Sequence, residues 1–127
     1  LYSNHIRGNA TGIRIEASAN PLVEKNYIWG NMIGVQCSNV GHGMLLRNFI
    51  YGNAPSYKGI VVAGRSNPTA EDNIFLVPEG EQRMGVFVHE DGCGVFRENE
   101  VLGAASVAVQ VVKGGQPLLQ RNYINGP

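Results

Sequence analysis

The sequence predicts an all-β chain wound as a right-handed parallel β-helix, a solenoid of about five coils of 22–26 residues. Three observations predict it: a recurring asparagine, a period-two alternation of apolar residues, and apolar columns that align from repeat to repeat. Asn26, Asn48, Asn73, Asn99 and Asn122 each stand five residues after a Pro or Gly, in the phrases PLVEKN, GMLLRN, PTAEDN, GVFREN and PLLQRN. They are spaced 22, 25, 26 and 23 residues apart, and Asn4 extends the series upstream by another 22. A self-similar period in the low twenties, built from short β-type runs and turns, marks a solenoid.

The first strand of each coil is opened by a small residue, in GIRI at Gly12, GVQC at Gly34, GIVV at Gly59, GVFV at Gly85 and SVAV at Ser106. The alternate positions Ile13/Ile15, Val35/Cys37, Ile60/Val62, Val86/Val88 and Val107/Val109 are apolar and mostly β-branched. Such alternation describes a strand with one face on a core. A second apolar column follows the Pro/Gly turn: Val23, Leu45, Ala70, Phe96 and Leu119. A third lies two residues after each asparagine: Ile28, Ile50, Phe75, Val101 and Ile124. Three short strands per coil with stacked inward columns follow, at rung spacings of about 4.8 Å. A leucine-rich repeat has a similar period but needs leucines at L-x-x-L-x-L spacing, where this chain places Val, Ile and Cys.

In this frame Asn4, Asn26, Asn48, Asn73, Asn99 and Asn122 form a structural ladder. An amide side chain carries donors and an acceptor, so each rung ties turn backbone to the next asparagine. Two turns are longer than the rest, through Asn53–Lys58 and Val77–Arg83, and are expected to loop out on one side.

The chain has 127 residues, 17 of them glycine, and a formal net charge of zero. One domain over residues 1–127 follows, with no electrostatic footprint for nucleic acid or an anionic membrane. The sequence starts and stops within a repeat, so it reads as a piece of a longer solenoid, uncapped at both ends. Core columns exposed at the ends would invite end-to-end association. Cys37 falls on a strand and Cys93 in a turn more than two repeats on, which argues against a disulfide; two reduced thiols suit an intracellular protein.

Many β-helices cleave polysaccharides, and two stretches of this chain bear on that chemistry. Gly41-His42-Gly43 resembles the GHG of polygalacturonases, but it superposes on Gly92-Cys93-Gly94 and reads as the turn of every second coil. A glycosidase needs paired carboxylates across the scissile bond. The chain has two aspartates, Asp72 and Asp91, and neither falls on the outward first strand. Glu71, Asp72, Glu98 and Glu100 are close in the frame, yet Asp72 and Glu98 share a column with Lys25, Arg47 and Arg121, an alternation of charge that needs no calcium ion. His89-Glu90-Asp91 is a strand end running into a turn. No catalytic residue, metal or cofactor is implied. The outward face of the first strand is more suggestive: Arg14, Gln36, Val61, Phe87 and Ala108 in one row, with Glu16, Ser38, Ala63, His89 and Gln110 beside them. Exposed aromatic and aliphatic residues on a rigid sheet make a candidate partner face, for which Arg14, Gln36, Val61, Phe87 and His89 are the expected contacts.

Coils of Ala19-Asn20-Pro21-Leu22-Val23-Glu24-Lys25-Asn26 type, whose Pro entry is repeated at Arg65-Ser66-Asn67-Pro68, alternate with those of Gly85-Val86-Phe87-Val88-His89-Glu90-Asp91-Gly92-Cys93-Gly94-Val95-Phe96-Arg97-Glu98-Asn99 type. This alternation resembles the β-helix of F-box only proteins 11 and 10, and the resemblance spans essentially the whole chain. It implies a non-catalytic scaffold that recruits protein substrates to a Skp1-cullin-F-box ubiquitin ligase in the nucleus or cytoplasm. The F-box that docks Skp1 would lie outside this sequence. The long turn Leu76–Arg83 and Ser106 in place of the strand-opening Gly depart from the family pattern. The competing class is a carbohydrate-active, pectin-lyase-like β-helix whose catalytic coils lie elsewhere.

Overall fold

A computed structural model describes residues 1–52, 54–78, 82–103 and 107–125. The strands follow one another in repeating threes. β1 (His5–Arg7), β2 (Thr11–Ile15) and β3 (Leu22–Glu24) are followed by β4 (Tyr27–Trp29), β5 (Ile33–Cys37) and β6 (Met44–Leu46). Next come β7 (Phe49–Tyr51), β8 (Lys58–Val62) and β9 (Thr69–Glu71), then β10 (Ile74–Leu76), β11 (Met84–Val88) and β12 (Val95–Arg97). The fifth coil holds β13 (Glu100–Leu102), β14 (Val109–Val111) and β15 (Leu118–Gln120), and β16 (Tyr123–Asn125) stacks on β13. Every third strand pairs in parallel, giving a first sheet β2-β5-β8-β11-β14, a second sheet β3-β6-β9-β12-β15 and a third sheet β1-β4-β7-β10-β13-β16. The expected three-strand solenoid of about five coils is therefore present.

The registers place the expected columns in contact. Ile13, Val35, Ile60 and Val86 are direct partners in the first sheet, Val23, Leu45, Ala70 and Phe96 in the second, and Ile28, Ile50, Phe75 and Val101 in the third. All are buried. Each Val, Leu, Ile and Phe contributes on the order of 1.5–3 kcal/mol by leaving water, and Ala70 less.

Gly12, Gly34, Gly59 and Gly85 stand second in the first-sheet strands, one residue inside the expected start, and are glycine for a steric reason. A Cβ at Gly59 would stand 2.6 Å from Gly85 O and 2.7 Å from Phe75 Cδ1, because the third column leans into that corner. The fifth coil corrects one alignment. Val86 pairs with Val109 and Val88 with Val111, so the inward pair is Val109/Val111 rather than Val107/Val109. Ala108 takes the glycine position, its carbonyl accepting from Gly85 N at 3.0 Å, while Ser106 lies outside the described residues. A slip of two keeps every side chain on its own face, so the alternation of Val107, Val109 and Val111 fits either register.

The asparagine ladder runs unbroken from Asn4 to Asn122. Each rung's backbone N–H donates to the next asparagine's Oδ1 at 2.8–3.0 Å. Each Nδ2 also donates to that oxygen, at 3.0–3.2 Å. From Asn26 onward the second Nδ2 hydrogen reaches a backbone carbonyl one coil back: Leu1 O, then the strand carbonyls of Val23, Leu45, Ala70 and Phe96. The residue before each rung is left-handed: Ser3, Lys25, Arg47, Asp72, Glu98 and Arg121 have φ between 52 and 58°. That conformation costs roughly 1–2 kcal/mol per non-glycine residue. It turns the chain between the second and third sheets, and the ladder bonds offset its cost.

The insertions differ in part from the expected loops. Asn53, Glu79, Gly80 and Glu81 lie outside the described residues. Tyr57, however, turns inward and is fully buried, its ring filling the space above Gly52. Burial pushes its hydroxyl pKa up, and among the described residues no partner bonds the Oη. Arg83 Nε donates to Ala54 O at 2.9 Å, tying the two long turns together. At the last coil Leu119 and Ile124 are exposed beside a hollow of about 250 Å³ lined also by Val86, Phe96, Val101 and Val109.

Asn73→Ala removes a fully buried rung and strands Asn48 N, Asn48 Nδ2 and Leu45 O. Urea unfolding should show a loss of about 1–3 kcal/mol. Asn4→Ala, at the exposed end of the ladder, should change stability by less than about 0.5 kcal/mol.

Candidate functional site

The three-residue strands of the third sheet turn their middle residue inward and both flanking residues out. Two outward rows result, running along the solenoid axis. One is His5, Tyr27, Phe49, Ile74, Glu100 and Tyr123; the other is Arg7, Trp29, Tyr51, Leu76, Leu102 and Asn125. The rings of His5 and Tyr27 stack with centroids 5.5 Å apart and planes 11° off parallel. Tyr27 and Phe49 follow at 4.9 Å and 33°. The Arg7 guanidinium carbon sits 5.2 Å from the Trp29 ring centroid. Rung spacing close to the thickness of a stacked pair produces this arrangement. Ring faces are turned to one another along the axis, and ring edges to solvent. Tyr27 is 48 % exposed and Ile74 37 %, while Trp29, Phe49, Tyr51, Leu76 and Leu102 are half-buried.

The backbone of β4, β7, β10 and β13 is already paired on both sides. This face can therefore be met by side chains but cannot accept an added strand. The signal for it was in the sequence, at the residue after each ladder asparagine: His5, Tyr27, Phe49, Ile74, Glu100 and Tyr123.

The expected partner face lies on the first sheet. Arg14, Gln36, Val61 and Phe87 are register partners in one row, with His89 on the neighbouring row. Arg14 is exposed and Gln36, Phe87 and His89 are half-buried. Val61 departs from the expectation: it is 4 % exposed, flanked by the larger Gln36 and Phe87 on adjacent rungs, and Ala63 is buried too. The row continues to Gln110 rather than Ala108, so the apolar stripe ends at Phe87. Phe87 itself is engaged, stacked on His89 at 4.6 Å and 18°, with Lys58 Nζ 5.7 Å from its centroid. His89 Nδ1 lies 3.4 Å from Glu90 Oε1.

The carboxylates disperse instead of converging. Glu24 pairs with Arg47, Glu71 with Arg97 at 3.5 Å and Glu98 with Arg121 at 3.2 Å. Exposed pairs of this kind stabilise by about 0–1 kcal/mol. Asp72 stands at the ladder corner (φ 58°) and Asp91 at the corner after β11 (φ 62°). Among the described residues no group of three His, Cys, Asp or Glu side chains is placed to hold a metal ion. His42 is half-buried at the turn between β5 and β6, where its backbone N–H donates to Ala19 O at 2.9 Å.

With parallel three-strand coils, an asparagine ladder and three stacked core columns, the chain is a β-solenoid of the helical kind. The family model for the right handed beta helix region matches residues 1–126, and the chain belongs to that family. No curated protein and no solved structure matches it.

The two thiols should separate chemically. Both are free, and burial raises Cys37 from the ordinary 9.0 to about 12, since a thiolate there loses its hydration. A disulfide-exchange reagent at pH 8 should therefore label the half-buried Cys93 in the native protein and Cys37 only on unfolding. A folded value above the unfolded one means that the stability Cys37 contributes is complete below pH 9.0. It is lost as pH rises from there toward about 12, and Cys37→Val should flatten that alkaline slope in urea unfolding.

Proposed function

We propose that this β-helix is a non-catalytic scaffold that captures protein partners on the third-sheet face. The observation that carries the reading is the continuous apolar surface of Tyr27, Trp29, Phe49, Tyr51, Ile74 and Leu76 on a rigid, fully paired sheet. Aromatic residues concentrated on a preorganised surface are the usual anchors of protein association. In its narrower form the proposal makes the chain the substrate-recognition part of an F-box ubiquitin ligase, joined to Skp1 and cullin through an F-box elsewhere in its parent, in the nucleus or cytoplasm. The alternation of Pro-type and Gly-type coils along the sequence supports that form.

The carbohydrate-active reading is less well supported by the same face. Sugar rings pack on the faces of aromatic rings, and here those of His5, Tyr27 and Phe49 are turned on one another while Arg7 covers Trp29. Glu24, Glu71 and Glu98 are each held by an arginine, which leaves none of these three free for acid–base chemistry at a glycosidic bond.

Affinity capture of the tagged full-length parent from cells, read by mass spectrometry, tests the proposal. Skp1 and cullin in the eluate are expected, with further proteins lost when Trp29→Ala and Tyr51→Ala are combined but retained with Arg14→Ala and Phe87→Ala. The opposite pattern would move the partner face to the first sheet. Absence of Skp1 and cullin, with hydrolysis or lysis of a polysaccharide by the parent, would replace the scaffold with an enzyme.

A further inference from the structure

The third-sheet face is charged differently at its two ends, and this narrows what can bind it. Toward the first coil the exposed lysine and arginine side chains at the face and its corner are Arg7 and Lys25. Both make cation–π contacts, Arg7 with Trp29 and Lys25 Nζ at 5.6 Å from the Tyr2 centroid, which leave their charge intact. Arg47, the next cation on that corner, is neutralised by Glu24. Toward the last coils, among the described residues, the exposed carboxylates Asp72 and Glu100 carry no ion pair, while Glu98 is balanced by Arg121. The apolar surface of Trp29, Phe49, Tyr51, Ile74 and Leu76 lies between the two ends.

We infer that this face docks an amphipathic α-helix of a partner protein, lying along the solenoid axis, acidic at the end over Arg7 and Lys25 and basic at the end over Asp72 and Glu100. The inference rests on the scaffold reading above and specifies its ligand. The helical form follows from the backbone. A segment laid on a sheet whose N–H and C=O groups are all used must satisfy its own, and an α-helix does so internally. The dimensions agree. From β1 to β13 is four rungs of about 4.8 Å, or about 19 Å, which a helix of about 13 residues spans at 1.5 Å per residue. The two outward rows stand about 7 Å apart, the separation of two residues along a strand, and leave a valley for one row of i, i+3/i+4, i+7 side chains. The opposed charges set the direction of the helix, as complementary potentials set register across interfaces.

A displayed library of 14-residue amphipathic peptides with a fixed leucine stripe and randomised charges at both ends, selected against the whole 127-residue chain, tests this. The expected winners carry Glu or Asp at one end and Lys or Arg at the other. Combining Arg7→Glu with Lys25→Glu should weaken them by roughly tenfold or more. A peptide with its acidic end changed to lysine should recover that loss. Selected peptides without charge order, or binding indifferent to the reversal in a protein of unchanged circular dichroism, would overturn the inference. If no helical peptide is selected while capture by the parent still depends on Trp29 and Tyr51, the helix is wrong and the scaffold reading stands. If capture is indifferent to Trp29 and Tyr51 as well, both fall.

Discussion

The asparagine ladder, set at a left-handed corner, is the constraint on which the rest of this molecule depends. Every coil must turn sharply from the second sheet to the third, and it does so through one residue at positive φ, which is glycine at none of the six ladder corners. Residues such as Lys25, Arg47 and Glu98 occupy that position at a cost of roughly 1–2 kcal/mol each. What holds them is the asparagine that follows. Its backbone N–H and both side-chain hydrogens are bonded at each buried rung from Asn26 to Asn99, and its Oδ1 accepts twice. Because each rung bonds its neighbour, the ladder also fixes the register of successive coils. A coil shifted along its neighbour would lose three hydrogen bonds in a buried setting, each on the order of 1–3 kcal/mol to leave unmade.

Register in turn creates the outer surfaces. With Asn26, Asn48 and Asn73 in line, Tyr27, Phe49 and Ile74 must also be in line, and so must Trp29, Tyr51 and Leu76. A row of aromatic side chains on successive rungs has little choice but to stack, which turns ring edges outward and ring faces along the axis. The ladder therefore determines both the position of the third-sheet face and the chemistry it can offer. The first sheet behaves differently. There Phe87, His89 and Lys58 satisfy one another and Val61 is covered.

The inner half of this structure was legible in the sequence because it is repetitive. The ladder asparagines, the first-sheet glycines through Gly85 and the three core columns recur with one chemistry each, and nearly all of them stand where the period puts them. The misreadings fall where repetition fails. At the fifth coil no glycine opens the strand, and a two-residue slip changes no side chain's face, so Ser106 and Ala108 were equally good candidates. Tyr57 sits in an insertion with no counterpart in other coils, so its turn into the core left no columnar signal. Val61 was placed on the correct face, but its cover by Gln36 and Phe87 depends on side-chain size on neighbouring rungs, which alternation does not encode. The third-sheet face was legible in principle and was passed over because its residues vary: His, Tyr, Phe, Ile, Glu, Tyr.

Native-state hydrogen exchange followed by NMR tests the ladder most directly, since each rung's backbone N–H is bonded only through the next asparagine's side chain. The account requires the amides of Asn48 and Asn73, and their side-chain NH₂ groups, to exchange only through global unfolding, with protection matching that of core-strand amides such as Val62. Exchange of these asparagines at the rate of exposed turn amides, while the strands stay protected, would show that the sheets hold the coils in register without the ladder.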